Sequence, residues 1–216
     1  DWVTFYFGAK NIQSMESNVG EVIDGIWRPE LYYANDTYTS LKTTEAERRL
    51  SEQALRVLLE KLDNLLLYVE PDSTSFSTYS HRIRELLILA CTEVEAFLLF
   101  YMKLSQTNPI NRNYTTKDYI KLKEQLFLSD FQFTFRSYTS ISPFRPFENW
   151  SASSPTSSLL WYDAYNKTKH DRANHFKEAN FYNAINSVIA TLILYIVRFG
   201  PHILLEEKGT LNSLVN

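Results

Sequence analysis

The residues whose types could do chemistry are concentrated between Tyr165 and Lys177. This stretch holds two of the four histidines of the chain, His170 and His175, and a histidine can act as a general acid or base near neutral pH. The only local excess of positive charge comes from Lys167, Lys169, Arg172 and Lys177. Because the whole chain has a formal net charge of −3, any contact with nucleic acid would have to be made locally, by this basic stretch.

Other catalytic motifs are scarce in the sequence. Five scattered glycines cannot form a phosphate-binding glycine-rich loop. The single cysteine, Cys91, rules out a zinc site built from several cysteines and an internal disulfide. A lone cysteine fits a reducing cytoplasm. We therefore expect a cytoplasmic protein without a metal or another cofactor.

No membrane-spanning segment is predicted. The most hydrophobic segment, 86–104, is interrupted by Glu93 and Glu95, and the apolar segment 188–199 is too short to cross a bilayer. The first residues of the sequence also lack the basic and apolar blocks of a signal peptide.

Helical periodicity dominates the chain and predicts an all-α bundle. Thr44 and Glu47 form a capping-box pattern before the first long helix. The second helix is apolar on nearly all sides, which indicates the central helix of a bundle. The predicted helices are residues 44–69, 81–105, 115–126, 157–169 and 177–199. In the first helix, the residues that recur at helical spacing are Leu50, Ala54, Val57, Leu58, Lys61, Leu62, Leu65 and Leu66.

The rest of the chain is predicted to be irregular. Residues 1–43 form an aromatic arm, either loose or with a short strand over Trp2–Phe7. Residues 131–136 alternate with period two, as in a strand or an extended segment that buries phenylalanines. A long connection follows at 140–158, and connections of this length commonly carry function or cover a groove. The expected organisation is an arm (1–43), a helical domain (44–200) and a tail (201–216).

Two motifs give the chain a resemblance to a known family. The buried helix carries acidic residues in the sequence ACTEVE at 90–95, and the later element YNKTKHDR at 165–172 precedes a final amphipathic helix. Over residues 44–199 the chain resembles the HEPN superfamily, small helical domains found in RNA-cleaving toxins, phage-defence proteins and CRISPR effectors. The resemblance implies a HEPN-like helical bundle with an inserted loop.

The motif of the active family members is only partly present. It consists of an Arg, usually followed by a polar residue, with four to six residues between that Arg and a His. Asn166 matches the polar residue and His170 matches the histidine, but Tyr165 occupies the Arg position. A second register, from Lys169 to His175, also lacks the Arg.

The resemblance implies three alternative functions. The first is an RNA-associated or defence-linked module that acts by binding and by forming a homodimer, with an antitoxin or a nucleotidyltransferase as a possible partner. The second is a metal-independent endoribonuclease, in which His170 takes the proton of the 2′-hydroxyl, Asn166 orients the phosphate or base, and Arg172 or Lys169 supplies the cation. The third is a purely structural interaction domain. The residues assigned to binding are Tyr165, Lys167, Lys169, His175 and Glu93.

Glu93 is predicted to join the two halves of the bundle. It follows the apolar line of Leu86, Ala90 and Phe97, so its carboxylate needs a donor in the interior. Candidate donors are Lys169, His170 and Arg172. The alternative is that Glu93 lines a solvent-filled groove and that its loss is nearly neutral. Glu95 lies about 200° further around the helix and is expected at the bundle edge. In the purely structural interpretation, Asn166 and His170 instead bond to the backbone or to Glu93.

Overall fold

The described part of the chain is an all-α bundle, as the sequence predicts. A computed structural model describes residues 25–27, 43–138 and 140–205. β-Pairing within these residues is limited to two isolated bridges, Tyr79–Asn180 and Phe133–Phe144. The helices are α1 (Glu45–Leu66), α2 (His81–Leu104), α3 (Thr116–Tyr119), α4 (Leu122–Gln125), α5 (Leu160–His170), α6 (Arg172–His175), α7 (Phe181–Phe199) and α8 (His202–Leu205).

The core is built on the parallel pair of α2 and α7, which is the most extensive helix contact, with α1 and α5 packed against both. The two helices start together, where Phe181 N donates to the Thr78 carbonyl at 2.8 Å, and end together, where Arg198 lies over the Phe100 ring. All residues of α7 are buried except Tyr182 and Ile196. Two side chains bridge the pair, since the Tyr101 hydroxyl donates to the Leu194 carbonyl at 2.7 Å and Thr191 Oγ1 donates to the Ala90 carbonyl at 3.2 Å. Both buried hydroxyls therefore have a hydrogen-bond partner on the facing helix, as buried polar groups normally do.

Helix α7 is long and apolar enough, by length and composition alone, to cross a membrane. It begins at Phe181, four residues after the predicted start at residue 177, because Asn180 caps it by accepting a hydrogen bond from Asn183 N at 3.0 Å. However, 89% of its apolar window is buried against the rest of the protein. This burial is that of a core helix of the bundle.

Helix α1 begins where the sequence predicts and buries part of the predicted apolar stripe. The Thr44 hydroxyl accepts from Glu47 N at 3.2 Å, which is half of the predicted capping box. Leu50 and Val57 are 77% and 47% exposed, so their inclusion in the apolar stripe does not reflect burial. The residues that α1 buries are Arg48, Leu55, Leu58 and Leu62.

The long connection between α4 and α5 belongs to the core. Phe133 and Phe144 exchange backbone hydrogen bonds of 2.9 and 2.8 Å, so the alternating phenylalanines form an extended segment rather than a full strand. Further along, Phe147 and Trp150 are almost fully buried, and Trp150 Nε1 donates to the Pro155 carbonyl at 2.8 Å. The connection is therefore irregular but packed.

Of the predicted N-terminal arm, residues 25–27 and Thr43 are described, and they include part of its contact with the bundle. Trp27 N donates to the Val197 carbonyl at 2.7 Å, and Arg198 Nη1 donates to the Gly25 carbonyl at 3.2 Å. Ile26 is buried. The segment 25–27 thus packs against the C-terminal end of α7. The predicted strand at residues 2–7 and the tail beyond residue 205 lie outside the described residues.

Candidate functional site

Helices α5 and α6 carry the chemically capable residues and are fixed at their junction. Asp171 ends α5 and caps α6, since its carboxylate accepts from the Asn174 backbone N at 3.3 Å and from the Asn174 side chain at 2.8 Å. These bonds lower the pKa of Asp171. From α2, Arg84 Nη2 donates to the Thr168 carbonyl at 2.8 Å. A cation at this carbonyl stabilises the C-terminal end of α5.

One face of α5 forms a buried hydrogen-bond network, here called the inner network, consisting of Glu95, Tyr162, Tyr165 and Lys169. The Tyr162 hydroxyl donates to Glu95 Oε1 at 2.7 Å, and the Tyr165 hydroxyl donates to Glu95 Oε2 at 3.2 Å. Lys169 Nζ donates to the Tyr165 hydroxyl at 2.7 Å and lies 4.9 Å from the centre of the same ring. The network thus holds a lysine at the surface through a tyrosine and a carboxylate.

The inner network changes the proton affinity of its members. Burial raises the pKa of Tyr162, and the Glu95 carboxylate raises it further. Burial also raises the pKa of Tyr165, although the bond from Lys169 acts in the opposite direction. The hydrogen bond to Tyr165 raises the pKa of Lys169. At neutral pH both tyrosines are therefore neutral and Lys169 is a cation.

A second face of α5 forms an ion-pair network, here called the outer network, consisting of Asp163, Lys167, Glu178 and His175. Lys167 Nζ lies 2.8 Å from Asp163 Oδ2 and 3.2 Å from Glu178 Oε2, and His175 Nδ1 lies 2.6 Å from Glu178 Oε1. The bonds to Asp163 and Glu178 raise the pKa of Lys167. Burial would raise the pKa of Glu178, but the bonds from His175 and Lys167 lower it. Lys167 and His175 are therefore engaged within the protein.

Asn166 and His170 lie between these networks and form no side-chain hydrogen bond to any residue that the structure describes. They are one turn apart on α5, and at 100° per residue their face lies between those of Lys169 and Lys167. Asn166 is half-buried and His170 is exposed. The purely structural expectation, that both bond to the backbone or to Glu93, is therefore wrong. Both side chains can therefore contact a ligand from solution.

Arg172 is the first residue of α6 and is exposed, without an ion pair or hydrogen bond to the described residues. It follows His170 by two residues, just past the break at Asp171. The exposed group formed by Asn166, His170, Arg172 and the flanking Lys167 and Lys169 is called the basic edge below. Residues 163–178 contain four Lys or Arg residues and three Asp or Glu residues, so this edge is only weakly basic.

The predicted contact of Glu93 with Lys169, His170 or Arg172 is not formed. Glu93 instead lines a cavity of about 180 Å³ beside Phe100 and Arg198, between α2 and the ends of α1 and α7. It makes no hydrogen bond or ion pair with the described residues, and burial raises its pKa. Glu93 therefore has no part in the basic edge.

Glu95 takes the role that the sequence interpretation gave to Glu93. The two carboxylates do lie on opposite sides of α2, as the helical geometry requires, but α5 packs on the Glu95 side. A pattern on α5 pointed to this arrangement. Tyr162, Tyr165 and Lys169 recur at spacings of three and four residues, which places three hydrogen-bond donors on one helical face. Such a face requires an acceptor when it packs against another helix.

The described residues bring together no group of three or more His, Cys, Asp or Glu side chains able to hold a metal ion. Cys91 is buried beneath the inner network, and burial raises the pKa of its thiol. Comparison with known proteins gave no matching family model, no matching curated protein and no matching solved structure.

Proposed function

We propose that this protein is a HEPN-like, RNA-associated module that binds single-stranded RNA through the basic edge and acts as a homodimer in the cytoplasm. The observation that carries this proposal is the pairing of Lys169 with Tyr165. Tyr165 stands where active members of the resembled family have an arginine. In this chain the tyrosine at that position accepts a hydrogen bond from the cation of Lys169, one helical turn later.

The geometry of Lys169 suits contact with a phosphate. Its hydrogen bond to Tyr165 uses one of the three ammonium protons, so two remain for a ligand. Its ammonium group lies 4.9 Å from the centre of the Tyr165 ring, and holding the side chain in this position reduces the conformational entropy lost on binding. Lys169 is exposed although its anchor is buried. A cation held in this way can contact a backbone phosphate without first breaking an ion pair with a carboxylate.

The neighbouring side chains suit contact with the rest of a nucleotide. Asn166 can donate and accept hydrogen bonds at a base or sugar, and Arg172 adds a second exposed cation. A homodimer would present two such edges, which increases affinity for one RNA strand by raising its effective concentration. An antitoxin or a nucleotidyltransferase is the partner class that the family resemblance implies.

RNA binding tests this proposal directly. We expect a labelled single-stranded RNA of mixed sequence to bind at low salt, with an affinity that falls as salt rises. In Lys169→Ala the slope of log K against log salt should decrease by about 0.7, the contribution of one phosphate contact on a single strand. Lys117→Ala is the matched control, because Lys117 is exposed and lies outside the basic edge. Failure to bind RNA at low salt would leave a structural interaction domain.

The same samples test the endoribonuclease alternative. His170 is exposed and bonds to no described residue, so its ring is available as a general base. RNA cleavage that persists in EDTA and disappears in His170→Ala would identify an enzyme. Binding without cleavage, retained in His170→Ala, is the result that the binding function predicts.

A further inference from the structure

A second site lies away from the basic edge, in a cavity of about 430 Å³ between α1, α7 and the extended segment 133–138. This volume falls within the range of about 300–1,000 Å³ that is typical of small-molecule sites. No residue of the basic edge lines it. Its walls are mostly apolar and are formed by leucines of α1, by Val188, Ile189 and Leu192 of α7 and by the rings of the extended segment.

The cavity reaches the core of the bundle. Leu62 on α1 and Val188, Ile189 and Leu192 on α7 line it, and each has at most 5% of its surface exposed. The opposite side of the cavity is open to solvent, because Leu67, Thr134 and Arg136 are exposed there. Water in such an apolar space would find few hydrogen-bond partners. The floor of the cavity therefore favours an apolar occupant.

The third wall differs from the two helices that face it. It is extended chain, paired to the rest of the protein at the Phe133–Phe144 bridge. Its rings contact one another edge to face, with 5.8 Å between the centres of Phe133 and Phe135 and 6.1 Å between those of Phe135 and Tyr138. Aromatic rings on an irregular segment can shift to fit an occupant more readily than helical side chains can.

The polar groups of the cavity are distributed unevenly. Thr134, Arg136 and Ser137 belong to the extended segment, whereas Asp63 belongs to α1. None of these four side chains forms a hydrogen bond or an ion pair with a described residue. The segment thus offers one guanidinium and two hydroxyl donors, and the opposite wall offers a carboxylate. An anionic group is attracted to the segment and repelled from α1.

We propose that this cavity binds an apolar molecule that ends in a carboxylate, of the fatty-acid class. The hydrocarbon chain lies between α1 and α7, and the carboxylate contacts Arg136 with Thr134 and Ser137 beside it. Asp63 fixes the orientation, because it disfavours a carboxylate on the α1 side. This site goes beyond the proposed RNA-associated function and does not depend on it.

A series of ten-carbon ligands below their micellar concentrations tests the proposal. Decanoate, decanol and decylammonium share a chain and differ in the charge of the head group, and calorimetry measures their affinities for the full chain. We expect saturable binding of decanoate, weaker binding of decanol and the weakest binding of decylammonium. In Arg136→Ala the affinity for decanoate should fall about tenfold, while that for decanol stays unchanged. Arg112→Ala is the matched control, because Arg112 is exposed and does not line the cavity.

Filling the cavity provides the second measurement. Ile189→Phe should abolish binding of all three ligands, and Leu59→Phe, at a half-buried position, should do the same with less risk to the fold. Circular dichroism confirms that each variant is folded. The proposal is overturned if decanoate does not saturate, if decylammonium binds as tightly as decanoate, or if folded Leu59→Phe binds decanoate like the parent protein.

Discussion

Glu93 and Glu95 are two residues apart on α2 and have opposite surroundings. Glu95 accepts hydrogen bonds from Tyr162 and Tyr165, whereas Glu93 accepts none from the described residues. Removing an acceptor leaves the buried donors that used it without a hydrogen-bond partner. Removing a group that has no partner leaves no donor unsatisfied. The two carboxylates therefore form a matched pair for mutation.

We expect Glu95→Ala to lower the free energy of unfolding by about 2 kcal/mol, because the hydroxyls of Tyr162 and Tyr165 lose their acceptor. Glu93→Ala should cost less than about 1 kcal/mol, as for a substitution outside a hydrogen-bond network. Urea unfolding at pH 7 measures both. A larger loss for Glu93→Ala than for Glu95→Ala would contradict the assignment of Glu95 to the inner network.

The raised pKa of Glu93 predicts a pH dependence of stability. A group whose pKa is higher in the folded state favours folding at pH values below its unfolded pKa, and this contribution is lost as pH rises through the folded pKa. Glu93→Gln removes the titration. The stability of Glu93→Gln relative to the parent protein should therefore increase as pH rises from about 4 to 7. Thermal midpoints of both proteins across this range check the sign, and a decreasing difference would refute it.

At the residue scale, the sequence yields a candidate stretch but not its contacts. Tyr165, Asn166, Lys169 and His170 were selected by their types, and types can be read directly. Which acid faces α5 could not be read, because α2 is apolar on nearly all sides and has helices packed around it. Periodicity gives the angle between Glu93 and Glu95, but it does not say which neighbouring helix occupies each side.

At the scale of elements, the C-terminal end of α7 depends on Gly200. Its φ of +78° lies in the region that favours glycine. A Cβ added there would approach Trp27 Cδ1 to 3.0 Å. Backbone conformation and a close neighbour therefore both require glycine at the point where residues 25–27 pack on the helix.

Gly200→Ala should lower the free energy of unfolding by about 1–3 kcal/mol, from backbone strain together with the contact to Trp27. Trp27→Ala as a second variant separates the two causes. If the ring contributes, Gly200→Ala should cost at least about 0.5 kcal/mol less in the Trp27→Ala background. Additive losses in a double-mutant cycle would assign the whole effect to the backbone.

The starts of α1 and α2 were predictable, whereas α7 begins four residues after its predicted start at residue 177. Thr44, Ser80 and Asn180 each accept a hydrogen bond from the first turn of the helix they precede, and side chains of this kind are visible in a sequence. Faces depend on tertiary packing. Leu50 and Val57 are exposed on α1, because the helix turns Arg48 and Leu55 towards the core, and propensity cannot anticipate this choice.

At the scale of the whole molecule, the connection 140–159 should unfold together with the helices. Phe147 packs against Trp150 and Trp161 with ring centres 5.7 and 5.8 Å apart. Trp161 belongs to α5, so the connection and the bundle share one set of aromatic contacts. Length and proline content suggested a loop from the sequence, but they do not reveal how many of its aromatic side chains are buried.

Trp150→Ala should lower the free energy of unfolding by about 3–5 kcal/mol, the usual loss for a buried aromatic residue. Leu160→Ala is the control, because Leu160 is 67% exposed and its loss should fall within about 0.5 kcal/mol. Denaturant curves for the parent protein followed by tryptophan fluorescence and by far-UV circular dichroism should coincide. A separate early fluorescence transition would show that the connection opens on its own.

The pairing of α2 with α7 also sets the order of events during translation. Helix α2 is complete at residue 104, yet the helix that covers it ends at residue 199. At 5–20 residues per second, the ribosome needs about 5–20 s to span this interval. During that time the apolar sides of α2 that α5 and α7 cover have no final partner, so the nascent chain is exposed to aggregation and to chaperone binding. A product that stops before α7 would remain in this state, which makes premature termination more damaging here than in a fold built from neighbouring hairpins.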